Sequence, residues 1–129
     1  MKNEFIPYEQ ALKLKKLRFN EPTLGYYQFK ILKIQPPILK KENQNQDFMR
    51  EEDCSAPLWQ QAFDWFREKY FLYFEITEAH IGLGWDVTII NLNASLVEFK
   101  GGVYYAYEEA LDLALYLRKI IENNNDKVY

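Results

Sequence analysis

The spacing of apolar residues changes period along this chain, and each change marks an element. From Leu58 to Tyr70 the spacing is helical. Leu58, Trp59, Ala62, Phe63, Trp65, Phe66 and Tyr70 fall within an arc of about 160° on a helical projection. Gln60, Gln61, Asp64, Arg67 and Glu68 fill the opposite arc, with only Lys69 among the apolar positions. The pattern predicts an amphipathic helix with one deeply buried aromatic face, capped by Ser55 with Pro57 in its first turn. Aromatic rings carry the largest apolar area available for burial, so the core is expected here.

After Tyr70 the period drops to two. Leu72, Phe74 and Ile76 alternate with Tyr73, Glu75 and Thr77, then Trp85, Val87 and Ile89 with Asp86, Thr88 and Ile90. Gly82 and Gly84 mark the turn between these two runs. A third run follows Leu92-Asn93-Ala94, until Gly101-Gly102 breaks or bulges it. If Trp85, Val87 and Ile89 share a face with Val97 and Phe99, a three-residue loop places Ile89 opposite Val97 and Asp86 opposite Lys100. The last helix starts near Tyr107, with Glu108 and Glu109 in its first turn and Asn123-Asn124-Asn125 to stop it.

Before the aromatic helix the pattern is less regular. A helix is expected from about Pro7 to Phe19, with its apolar positions spread over two sides. Tyr26 to Ile34 reads as one strand, ended by Pro36-Pro37. Residues 40–53 are nearly all polar and read as an exposed loop, with Phe48 and Met49 as its only apolar anchors. The order is α-β-α-β-β-β-α. It predicts an α+β two-layer sandwich, an antiparallel meander of three to four strands with helices on one face. One domain over residues 1–129 is expected, with a polar loop at about 40–54.

Composition narrows the class. At 129 residues and 48% hydrophobic, the chain can bury a core without metal or disulfide staples. One cysteine, Cys54, excludes an internal disulfide and fits a reducing compartment. No signal peptide is expected from the Lys2–Pro7 pattern, and no apolar run nears the roughly 20 residues of a membrane helix. A soluble cytoplasmic protein is expected. Charge is unevenly spread: residues 1–41 hold nine Lys/Arg against three Glu, and the remainder is acidic. A basic N-terminal layer docking on an acidic body accounts for this. The sharper alternative is an anion-binding patch of Lys13, Lys15, Lys16 and Arg18.

Candidate chemistry is sparse. His80 is the one histidine, and neither Cys54 nor Ser55 or Ser95 lies in a nucleophile motif. Two Cys/His residues cannot build a zinc site. Glu75, Asp86 and Glu98 could line one sheet face and hold a hard cation, but a solvated face with partners such as Lys100 is the expected reading. Gly82-Leu83-Gly84 lacks the third glycine of a dinucleotide fingerprint. No enzyme, cofactor or metal is expected. On the last helix, Tyr107, Ala110, Leu111, Ala114, Leu117 and Ile121 make a core stripe. Leu113, Tyr116 and Ile120 widen it beyond what one neighbour needs, and are candidates for contact with a partner or a second copy.

Two resemblances bear on function. Residues 56–122 resemble the double-stranded RNA-binding domain in element order, helix, three strands, helix. That family grips phosphates with lysines opening its last helix, and Tyr107-Glu108-Glu109 stands there instead, so nucleic acid is not the expected partner. The blocks Phe5-Ile6-Pro7-Tyr8-Glu9-Gln10-Ala11, Ala56 to Tyr70 (APLWQQAFDWFREKY) and Tyr107-Glu108-Glu109-Ala110 resemble a group of small uncharacterised proteins of tailed phages and prophage-like elements of gut bacteria. That resemblance implies a phage-associated protein in the cytoplasm of a bacterial host, and it brings no catalytic residues. The expected function is that of a non-enzymatic accessory protein binding a host or phage protein or itself. The alternatives are a nucleotide-like small-ligand binder and a structural or virion-associated protein.

Overall fold

Proline at position 7, with φ −63° and ψ 156°, opens helix α1 (Tyr8–Lys16), whose first turn carries Glu9 and whose last turn carries Lys13, Lys15 and Lys16. In this computed structural model, residues 4–34, 50–79, 84–91, 93 and 96–127 are described. The expected loop at 40–54 therefore lies largely outside them, as do His80, Gly82 and Ser95. The chain is α+β and divides into two compact units, Met1–Ala62 and Phe63–Tyr129, the boundary falling inside helix α2 (Trp59–Tyr70).

In the first unit, α1 buries Gln10, Ala11 and Leu14. Three strands follow: β1 (Gly25–Gln28), β2 (Ile31–Ile34) and β3 (Cys54–Ala56), in the antiparallel order β2-β1-β3. Two expectations fail here. Tyr26 to Ile34 is not one strand: it folds back at Phe29-Lys30 into a hairpin, with Gln28 opposite Ile31. Ser55 is not a helix cap: it is buried in β3 opposite Tyr26, and α2 begins only at Trp59. Ladder pairing with β1 meets the backbone needs of residues 54–56, so they extend the sheet instead of opening the helix. Gly25 is required by close approach, since a Cβ there would lie 2.7 Å from the Phe5 ring.

The second unit holds the antiparallel meander β4 (Leu72–Glu78), β5 (Trp85–Asn91) and β6 (Leu96–Val103), in that order, and helix α3 (Ala106–Lys127) packed on it. The helical pattern of α2 is met: Ala62, Phe63, Trp65, Phe66 and Tyr70 are buried and Arg67, Glu68 and Lys69 are exposed. Lys69 avoids burial by laying its ammonium over the Trp65 ring, 4.8 Å from the centroid. On α3, Ala110, Leu111, Ala114 and Leu117 are core, but Tyr107 is exposed. The three asparagines do not end that helix, which continues to Lys127.

The expected register of β5 and β6 is wrong by one residue. Ile89 stands opposite Glu98, Ile90 opposite Val97 and Val87 opposite Lys100. Four residues, not three, separate Asn91 from Leu96, so the parity of every pair inverts. Asn91 explains the inward set of β5. It is buried, and its Nδ2 donates to the Tyr70 carbonyl at the end of α2, 2.8 Å away. Val97 and Phe99 consequently face outward beside Ile90 and Thr88. Gly101-Gly102 then bulges opposite Asp86, whose carboxylate accepts the Gly102 N–H at 3.1 Å, and the bulge turns Val103 back into the core.

Candidate functional site

The β1–β2 turn is built from residues that do not favour it. A two-residue hairpin loop of this kind needs positive φ at both positions, which is why Asn-Gly dominates there. Here Phe29 has φ 53° and Lys30 φ 63°. Each L side chain held in that region costs about 1–2 kcal/mol. Something outside the turn must hold it.

The holding groups come from residues 50–53. Asp53, itself buried, turns its carboxylate to the tip and accepts the Phe29 N–H at Oδ1, 3.3 Å away. Arg50 places its guanidinium over the Phe29 ring, 4.3 Å from the centroid. The 50–53 segment is in turn fixed by α1. Lys15 Nζ donates to the carbonyls of Arg50 at 2.9 Å, Glu51 at 3.2 Å and Asp53 at 2.6 Å, using all three ammonium donors on backbone. Tyr8 adds a fourth tie, its hydroxyl donating to the Glu52 carbonyl at 2.8 Å.

The result is an exposed aromatic tip on a rigid base. Phe29 and Ile31 are each 61% exposed, and Ile34 on the same edge strand is also exposed. A strained backbone here presents a large apolar ring to solvent with the Arg50 guanidinium over it, and strain of this kind collects at contact sites. The contacts the described tip offers are apolar and cationic.

The residues singled out from the sequence distribute as follows. Lys13, Lys16 and Arg18 are exposed, whereas Lys15 is half-buried and committed to the 50–53 carbonyls. Cys54 is fully buried. Burial pushes its thiol up to about 12, Lys15 opposing and Asp53 adding to the rise, so it stays protonated at neutral pH. Glu75 and Asp86 face outward, but the shifted register sends Glu98 to the opposite face, so the three carboxylates do not meet. Among the described residues no His/Cys/Asp/Glu group is placed to hold a metal ion. Of the widened α3 stripe, Tyr116 is 53% exposed while Leu113 and Ile120 are half-buried. Glu108 and Glu109 do open α3, and Glu109 is paired with Lys100 at 2.7 Å.

Sequence reasoning passed over Phe29, Lys30, Arg50 and Asp53. The one usable signal was length: ten residues, 25–34, divide naturally into two short strands and a two-residue turn. No family model, curated protein or solved structure matches the chain. Among the described residues no helix is long and apolar enough to cross a membrane.

Proposed function

We propose that this is a non-enzymatic accessory protein of phage type that works in the bacterial cytoplasm by binding a protein partner, with the β1–β2 tip as its contact. The observation that carries the reading is the exposed Phe29 ring, held at positive φ by Asp53 and covered by Arg50. Aromatic and arginine side chains on a fixed backbone are the usual anchors of protein interfaces, because little conformational entropy remains to be lost on binding. The α3 stripe at Leu113, Tyr116 and Ile120 is the rival contact within the same reading.

The test is capture from a lysate of phage-infected host cells by immobilised protein, comparing wild type with Phe29→Ala and Tyr116→Glu. Both side chains are largely exposed, so both variants keep their fold. Loss of a specific partner with Phe29→Ala alone supports the tip, and loss with Tyr116→Glu alone moves the contact to α3. Retention by both variants removes the binding sites proposed here.

A further inference from the structure

Strand β6 is an edge of its sheet: β5 lies on one side, and among the described residues no strand lies on the other. An edge offers unpaired N–H and C=O groups along its length, which proteins ordinarily blunt with proline, inward charges or a bulge. Here the bulge comes only at Gly101-Gly102, leaving 96–100 regular. The outward side chains on this stretch are apolar and open, Val97 at 61% and Phe99 at 62% exposure. They continue a row across the sheet, since Val97 stands opposite Ile90 and Ile90 opposite Tyr73.

The charges on this edge are self-complementary. If a second copy of β6 adds antiparallel about a two-fold axis at Phe99, each residue meets the one whose number completes 198. Glu98 then faces Lys100 of the other copy, and Lys100 faces its Glu98. Phe99 faces its own counterpart, and Val97 faces Gly101. Opposite charges and aromatic rings directly across a strand pair both stabilise it. Lys100 is already drawn to Glu109, at 2.7 Å, which leaves ammonium donors for a second carboxylate. The bulge ends the pairing on each side, so the contact closes on itself as an isologous dimer and does not propagate.

We infer that two copies of this chain associate through β6, joining their meanders into one six-stranded antiparallel sheet. The inference uses none of the residues of the hairpin tip and stands apart from the function proposed above.

Sedimentation velocity on the full chain, over a wide concentration range, tests it with charge-swapped variants. Glu98→Lys sets lysines against lysines at both contacts, and Lys100→Glu sets glutamates against glutamates. Each alone weakens self-association on the order of tenfold. Mixed in equal amounts, the two variants have opposite charges at every contact and form a heterodimer. Phe99→Asp, at a side chain 62% exposed, gives the same loss should either charge variant fail to fold. A wild type monomeric at every concentration, variants that self-associate as wild type does, or folded charge variants that stay apart when mixed would each overturn the inference.

Discussion

Replacing Phe29-Lys30 by Asn-Gly tests the strained tip directly. The two residues sit at φ 53° and 63°, and glycine at the second position relieves about 1–2 kcal/mol of steric cost. Glycine also adds unfolded-state entropy, which returns about 0.5–1 kcal/mol. Asparagine at the first position relieves about 1 kcal/mol, offset by losing the Arg50–Phe29 contact at about 0.5–1 kcal/mol for an exposed cation–π pair. The net is a gain of about 1 kcal/mol, or about 4 °C in the melting transition. Urea titration and thermal melting followed by tryptophan fluorescence read it. A companion change, Asp53→Ala, removes the carboxylate that holds the Phe29 N–H and costs about 1.5–3 kcal/mol in the native turn. It costs less in the Asn-Gly background, where the turn prefers this conformation unaided. Destabilisation by Asn-Gly, or an Asp53→Ala cost that is the same in both backgrounds, would refute the claim that the tip is strained and held. Gained stability with lost partner capture is the joint signature of a site retained for contact.

Three further outcomes follow from the second unit. Phe66→Ala, at a fully buried ring, costs about 3–5 kcal/mol in urea denaturation, while Arg67→Ala, losing only an exposed ion pair to Asp64, costs under about 0.5 kcal/mol. Asn91→Leu leaves the Tyr70 carbonyl without its buried donor and costs about 1–3 kcal/mol, read by the same titration. The Tyr70–Glu122–Arg118 network gives stability two pH limits. Burial pushes the Tyr70 hydroxyl up to about 12, aided by its hydrogen bond to Glu122, so its contribution is whole below pH 10 and lost as pH rises towards 12. Burial acts to raise Glu122, but hydrogen bonds from Arg118 and Tyr70 outweigh it and hold the carboxyl below 4.5. Its contribution is therefore present above that pH and lost as pH falls. Urea midpoints measured across pH should show both limbs, and Tyr70→Phe should shrink the alkaline one without abolishing it, because the buried Cys54 thiol, also pushed up to about 12, adds to that limb.

What the sequence determined by itself was whatever depends on periodicity within one element. The buried face of α2 was legible because Ala62, Phe63, Trp65, Phe66 and Tyr70 recur on one arc, and burial of that arc outweighs any other arrangement. The α+β class, the three-strand meander and the bulge at Gly101-Gly102 were legible for the same local reason. What needed the tertiary structure was whatever depends on a partner distant in the chain. The β5–β6 register turned on one extra loop residue and on Asn91, which must reach the Tyr70 carbonyl 21 residues earlier. That single-residue slip moved Val97 and Phe99 from core to surface and set Glu98 apart from Glu75 and Asp86. The hairpin tip was hidden more completely. Phe29-Lys30 carries no turn chemistry of its own, and its fold-back is imposed by Asp53, 24 residues away. Asp53 is in turn held by Lys15, 38 residues before it. Local preference argues for a strand through those residues. Hydrogen bonds to the 50–53 segment, itself tied to α1, override it, and no pattern in the strand itself records them.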